Sequence, residues 1–254
     1  MHIVTELSEW QAIRKTLANK TIGFVPTMGN LHAGHGSLFA RSKKENDVTI
    51  MSIFVNPTQF NEKKDFEKYP RTLQQDIDFL TSYDIDYLWA PDEKTLYTDQ
   101  YQVQVNEIEI SRVLEGEYRP GHFTGMLTVV LKLLNAAQPT RAYFGEKDYQ
   151  QLLLIKKMVN ALLLPIDIVA CETVRADDGL ALSSRNTRLS TAQREKAAHF
   201  PRLLRSELSL DEITSQLTAL GFKVDYIVEQ WGRRLGAVWL TDVRLIDNVA
   251  IISS

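Results

Sequence analysis

The stretch Thr21-Ile22-Gly23-Phe24-Val25-Pro26-Thr27-Met28-Gly29-Asn30-Leu31-His32-Ala33-Gly34-His35 decides the fold. It opens with a short apolar run that stops at a proline, the pattern of a buried strand. Gly29, Gly34 and Gly36 then punctuate a loop, and a helix is predicted over Ser37–Glu45. Strand, glycine-bearing loop and helix in that order form the unit by which open α/β sheets bind nucleotides. Backbone N–H groups and the positive end of the helix face the phosphates there.

Outward from this unit the alternation continues. A short strand and an amphipathic helix with Leu7, Trp10, Ile13, Arg14 and Leu17 at helical spacing precede it. Beyond it come an apolar run from Asp47 to Val55, a helix over Thr72–Tyr83, and a strand over Ile85–Ala90. A strongly apolar helix (Phe123–Ala136), a strand (Arg141–Phe144), a helix (Tyr149–Leu163) and a strand (Pro165–Cys171) follow. Strands alternating with helices at these lengths predict a Rossmann-like, doubly wound parallel sheet covered on both faces. After residue 175 the texture changes. A polar, turn-rich stretch leads to a charged helix near Thr191–His199 that Pro201 should end or kink, then a helix over Asp211–Leu220. Short strands over Lys223–Val228, Val238–Asp242 and Arg244–Ile246 complete a small α+β appendage. The expected domains are therefore 1–175 and 176–254.

Composition narrows the function classes. With 254 residues, 44% hydrophobic and 24% charged, the chain fits a soluble globular protein. A formal net charge of −3 argues against a nucleic-acid binder that relies on bulk positive charge. A single cysteine, Cys171, excludes an internal disulfide and fits a reducing compartment. It could be a nucleophile, but in the run Ile166–Cys171 it reads better as a small apolar strand residue. The start Met1–Glu6 has neither a basic nor an apolar leader segment, and no apolar run approaches the roughly 20 residues that cross a bilayer. A cytoplasmic enzyme without a membrane partner is expected.

Four clusters could carry chemistry. In Met28–His35 the loop is neither GxGxxG nor a Walker A motif, and it offers two imidazoles three residues apart instead. Either these are helix-cap histidines, or they donate to charge developing on a transferring phosphate. Five histidines and one cysteine, with no third ligand nearby, make a metal site the weaker option. Asn56 and Gln59 in Phe54-Val55-Asn56-Pro57-Thr58-Gln59-Phe60 lie at a strand's carboxyl end and supply neutral amides suited to a hydroxyl or carboxylate, although an Asn-Pro turn is also commonplace. Gly145-Glu146-Lys147-Asp148-Tyr149-Gln150-Gln151 again follows a strand: Lys147 could reach a phosphate, Asp148 is a plausible N-cap, and Gln151 lies one turn into the helix. Ser183-Ser184-Arg185-Asn186, in the expected hinge, pairs hydroxyls with a guanidinium as a triphosphate requires. Together these imply an ATP-dependent transferase or ligase.

The motifs also resemble a known family. Val25-Pro26-Thr27-Met28-Gly29 with His32-Ala33-Gly34-His35, and Ile53–Phe60, resemble pantothenate synthetases (pantoate–β-alanine ligases). Tyr69-Pro70-Arg71, Arg119-Pro120-Gly121-His122-Phe123, Phe144–Gln151 and Asp178–Asn186 continue the match over roughly residues 1–190. The resemblance implies a Rossmann-type domain with a smaller lid, a homodimer, ATP as substrate and Mg2+ beside it. Pantoate would be adenylated with release of pyrophosphate, and β-alanine would then displace AMP. By the same resemblance, Met28, Gly29, Asn30, Leu31, His32, Ala33, Gly34 and His35 form the ATP loop, with His35 as proton donor and both histidines on phosphate. Gly145, Glu146, Lys147 and Asp148 bind ATP, Lys147 on phosphate and Asp148 on ribose. Val174 lines the adenine pocket, and Leu182, Ser183, Ser184 and Arg185 close over the triphosphate. Gln59 and Gln151 hold pantoate, and Asp76 is the expected magnesium contact.

Two departures stand out. Gly36-Ser37 follows His35 where the family carries a large apolar residue, which weakens the first helical turn. The segment Glu229-Gln230-Trp231-Gly232-Arg233-Arg234 matches poorly within a short C-terminal region. Two other readings compete. A nucleotidylyltransferase acting on a phosphate-bearing acceptor predicts a basic pocket near Gln59, where this chain has amides. A regulatory module without chemistry would tolerate loss of His32, His35 or Lys147, and all three are present.

Overall fold

A computed structural model of the chain describes residues 1–61 and 63–251. Residue 62 lies outside it, as do residues 252–254 of the expected second domain. The apolar runs read above become β1 (His2–Val4), β2 (Ile22–Thr27), β3 (Val48–Ile53), β4 (Tyr87–Trp89), β5 (Arg141–Gly145) and β6 (Asp167–Cys171). They pair in parallel as one sheet in the order β1-β4-β3-β2-β5-β6. Between them run α1 (Leu7–Thr16), α2 (Ala33–Glu45), α3 (Lys63–Lys68), α4 (Leu73–Thr81), α5 (Glu93–Leu96), α6 (Glu115–Tyr118), α7 (His122–Ala137) and α8 (Tyr149–Ala161).

Packing divides the chain into two compact units. Met1–Leu31, His35–Gly145 and Gln150–Cys171 make the first; His32–Gly34, Glu146–Tyr149 and the residues from Glu172 onward make the second. In the first unit both faces of the sheet are covered, which is why its central strands are mostly apolar and buried. On one face Val25, Met51, Leu88 and Tyr143 pack with Leu38 and Phe39 of α2 and Leu80 of α4. On the other, Trp10 of α1 stacks on Trp89 at 5.8 Å and donates from Nε1 to the Ala136 carbonyl at the end of α7. Cys171 is buried in the first of these cores, consistent with a strand residue.

The second unit contains α9 (Thr191–Ala197), α10 (His199–Leu204), α11 (Leu210–Ala219) and an antiparallel sheet of β7 (Lys223–Gln230), β8 (Arg233–Leu240) and β9 (Val243–Ala250). Its core joins Phe200, Ile213, Leu217, Val238 and Val243. The break between α9 and α10 lies where Pro201 cannot donate its missing N–H one turn back, as expected. The strands are longer than the sequence suggested. Trp231 (φ 54°) and Gly232 (φ 72°) make a two-residue turn with both residues left-handed, so the poorly matching Glu229–Arg234 segment is a tight hairpin.

Helix α2 begins at Ala33, ahead of the predicted Ser37, and Gly36 lies within it. The sequence marks Gly36 as a weak helix residue, and packing explains why it is there. A Cβ at Gly36 would lie 2.1 Å from Tyr83 Oη and 2.5 Å from its Cζ. The Tyr83 ring is held by Phe39 and Phe79, with ring centroids 5.6 and 5.0 Å away. Gly36→Ala gains about 1 kcal/mol in helix propensity but forces overpacking that costs about 1–3 kcal/mol. Urea unfolding should therefore show a net loss of stability, turning into a gain when the change is made in a Tyr83→Ala background. A gain in the otherwise unchanged chain would show that Tyr83 yields freely.

Candidate active site

Strand β2 pairs with β3 on one side and β5 on the other. The chain winds from β2 through β3 to β4 in one direction and from β5 to β6 in the other, so the order reverses between β2 and β5. Ligands of open α/β sheets bind outside the strand carboxyl ends at such a reversal. Met28–Leu31 leaves β2 there and Gly145 ends β5. A side chain at Gly145 would meet nothing within 4 Å, so the glycine leaves room at the strand end.

The shape of the β2 loop is set by Asp76 in α4. Gly29 (φ 78°) and Asn30 (φ 52°) are both left-handed, which turns two successive N–H groups the same way. Asp76 accepts from Asn30 N–H at 3.0 Å, Leu31 N–H at 2.7 Å and Thr72 Oγ1 at 3.0 Å. The carboxylate is 2% exposed, and a Cβ at position 29 would lie 2.9 Å from its Oδ2, so the loop needs its glycine. The Asn30 and Leu31 N–H groups thus donate to the chain's own carboxylate, and Asp76 ties the loop to α4 through both of its oxygens. Among the described residues, no three His, Cys, Asp or Glu side chains gather as a metal site.

Asn56 and Gln59 follow β3. Because the Gly125 carbonyl can only accept, the Asn56 Nδ2 that lies 3.1 Å from it must be the donor, and Nδ2 also donates to Gln59 Oε1 at 3.2 Å. Its Oδ1 accepts from Thr58 Oγ1 at 3.0 Å and Tyr97 Oη at 2.7 Å. Asn56 is buried, and its amide is bonded on both sides within the protein. What it does is orient Gln59. With Oε1 taken, Gln59 presents its NH2 group, which lies 2.7 Å from Met28 Sδ. The neighbouring glutamines of α8 also divide their tasks. Gln150 donates to the carbonyls of Ile110 and Val113, both at 2.8 Å, and accepts from Glu115 N–H. Gln151, the predicted ligand, is half-buried in the first turn. His35 is also half-buried, in the first turn of α2.

The second unit groups the remaining candidates. His32, just before α2, accepts the Gly34 N–H on Nδ1 at 3.1 Å, which puts the ring proton on Nε2. Burial first, and then the Lys147 ammonium, push its pKa down to about 4 against the opposing pull of Asp148. His32 is thus a neutral N–H donor at neutral pH. Lys147 Nζ lies 3.8 Å from Asp148 Oδ1. The backbone of that segment is gripped by two residues the sequence reading missed. Asn248 Nδ2 donates to the carbonyls of Glu146 at 2.9 Å and Lys147 at 3.0 Å. Arg233 donates to Asn248 Oδ1 at 2.8 Å and Glu146 Oε2 at 2.6 Å, its guanidinium 4.3 Å from the Tyr149 ring centre. Leu182 N–H donates to the Val174 carbonyl at 2.9 Å, and Ser183 caps the turn Ser184–Arg188 through Arg185 N–H. The Leu182 Cβ lies 3.5 Å from where a Gly34 side chain would begin. Beneath this segment Arg175 holds Asp247 through two bonds of 2.7 and 2.9 Å.

Comparison with known proteins extends across the whole chain. A family model described as pantoate-beta-alanine ligase matches residues 2–250. A pantothenate synthetase of Legionella pneumophila is 52% identical over 249 residues, covering 98% of this chain and 99% of the relative. One from Coxiella burnetii is 52% identical over 247 residues, covering 97% and 96%. Among solved structures, a pantoate-beta-alanine ligase from Francisella tularensis, complexed with beta-gamma ATP and beta-alanine, superposes with a TM-score of 0.94 at 46% identity over 98% of this chain and 97% of that one. A pantothenate synthetase from Thermus thermophilus gives 0.90 at 38% identity, over 98% and 99%.

The state of His32 can be measured directly. The unfolded chain takes up a proton there near pH 6.5, whereas the folded chain does so only near pH 4. Folding stability contributed at this residue should therefore be complete above pH 6.5 and fall as pH drops toward 4. Nitrogen-15 NMR of labelled histidine should show His32 as the neutral Nε2–H tautomer throughout the range above pH 5. A midpoint near 6.5 would contradict the buried, Lys147-facing placement.

Proposed function

The chain belongs to the pantoate–β-alanine ligase family, and from that membership we propose how its residues divide the work of the reaction. The reaction has two steps. A carboxylate oxygen of pantoate attacks the α-phosphorus of ATP, and pyrophosphate leaves. The amine of β-alanine then attacks the acyl carbon of pantoyl adenylate, loses a proton, and AMP leaves as pantothenate forms.

Pantoate is held by the Gln59 and Gln151 amides. A neutral amide suits a nucleophilic carboxylate: it orients the group without the ion pair that would stabilise its ground state and blunt its attack. The orientation of the Gln59 NH2 by Asn56 is the observation that carries this assignment. Asn56 itself acts behind Gln59. Around phosphorus, the Nε2–H of His32, the His35 imidazole and the Lys147 ammonium meet charge that grows on the oxygens in the transition state, with His35 as proton donor. Met28 to Gly34, together with Gly145, Glu146, Asp148 and Val174, hold the nucleotide, Asp148 at the ribose and Val174 at the adenine. Leu182, Ser183, Ser184 and Arg185, in the smaller domain from 176 on, bind the triphosphate.

Magnesium would come with the ATP and would neutralise charge on its phosphates. Asp76, whose carboxylate already ties the β2 loop to α4, would be the protein contact nearest to it. A homodimer in the cytoplasm completes the reading. The single, buried Cys171 forms no disulfide, which supports a reducing compartment, and among the described residues no helix is long and apolar enough to cross a membrane.

Purified chain with ATP, magnesium, pantoate and β-alanine should release AMP and pyrophosphate, and sustained AMP release should need both acid and amine. His35→Ala should slow adenylate formation by about two orders of magnitude or more, the scale of losing one preorganised donor. AMP release indifferent to β-alanine would sink the assignment, and a loss well short of that scale would remove His35 from the chemistry.

A further inference from the structure

The Arg119-Pro120-Gly121-His122-Phe123 motif has no part in the chemistry above, yet it packs against the turn that carries Gln59. His122 is 7% exposed, and its Nδ1 lies 2.7 Å from the Gln59 backbone carbonyl. A carbonyl only accepts, so Nδ1 carries the proton. Its Nε2 lies 3.0 Å from Arg119 Nη1, and a guanidinium only donates, so Nε2 is the acceptor. The two partners fix one neutral tautomer. Arg119 is in turn 3.6 Å from Glu115 Oε2, on a carboxylate that is itself buried.

One turn further along α7, Gly125 presses on the same peptide. A Cβ there would lie 2.2 Å from the Thr58 carbonyl oxygen and 2.8 Å from the Gln59 nitrogen. The Gly125 carbonyl also accepts from Asn56 Nδ2, the group that orients the Gln59 side chain. The first two turns of α7 therefore hold Gln59 through its nitrogen, its carbonyl and the partner of its amide.

We propose that His122 is a positioning residue for the acid substrate: through its Nδ1–H it fixes the Gln59 carbonyl, and thereby where the Gln59 NH2 group meets the pantoate carboxylate. This rests on the assignment of Gln59 to pantoate. Packing alone would accept any ring of similar volume. A positioning role requires the donor at the δ position, and an asparagine supplies that donor where a glutamine does not.

Steady-state kinetics of the full-length enzyme tests this with His122→Gln, His122→Asn and Gln59→Ala. His122→Gln should raise KM for pantoate about tenfold while KM for ATP moves by less than about twofold, the loss expected for one buried hydrogen bond. His122→Asn should recover most of that loss. Equal pantoate defects in the two His122 variants, or an ATP defect as large as the pantoate defect, would overturn the proposal. Gln59→Ala separates the two levels. If it leaves pantoate KM unchanged, the Gln59 assignment falls; if it raises KM and His122→Gln does not, only the role of His122 falls. Should the glutamine variant fail to fold, nitrogen-15 NMR of the unsubstituted enzyme decides. An Nδ1–H tautomer at His122 supports the proposal, and an Nε2–H tautomer overturns it.

Discussion

A carboxylate buried behind a loop is expensive unless every oxygen finds donors, and Asp76 finds them in the loop itself. Its bonds to Asn30 and Leu31 N–H hold two left-handed residues in place. They also tie the end of β2 to α4. Without that charge the two N–H groups would lose these bonds, and the glycine loop would lose its tie to α4. Asp76 so accounts for Gly29 and for the conformation of the loop that leaves β2.

The same logic of satisfied buried polar groups runs through the amides. Asn56 uses all of its donors and acceptors inside the protein, and that saturation gives Gln59 a definite orientation. The segment after β5 is likewise pinned from behind: Lys147 by Asn248 on its backbone, and Glu146 by Arg233. His32 is held neutral by burial and by Lys147. Supporting groups that are bonded rather than merely packed keep a site within the tolerance that phosphoryl chemistry demands.

Much of this was legible in the sequence. Parallel strands buried on both faces must be apolar along their length, so Thr21–Pro26, Asp47–Val55 and Pro165–Cys171 announced the sheet. Pro201 announced a helix break by removing a donor, a purely local effect. What stayed hidden depends on partners distant in sequence. Gly36 looked like a weak point in α2 because helix propensity is local, while the Tyr83 ring that requires a glycine is not. The strand-end position of Asn56 was visible in the sequence, and its bonds to Tyr97 and Gly125 were not. Arg233 reaches Glu146 across 87 residues, and Trp231-Gly232 carries a turn type usually marked by Asn or Asp at its first position. The single-turn helices α5 and α6 are too short for periodicity to reveal.

The central claim is that this scaffold presents a carboxylate to the α-phosphorus of ATP. Oxygen transfer tests it most directly. With pantoate labelled with oxygen-18 in both carboxylate positions, turnover in the presence of β-alanine should place one labelled oxygen in each AMP formed, because the attacking oxygen stays on phosphorus when the amine displaces AMP. Unlabelled AMP, with the label carried instead into pyrophosphate or wholly retained in pantothenate, would contradict the account.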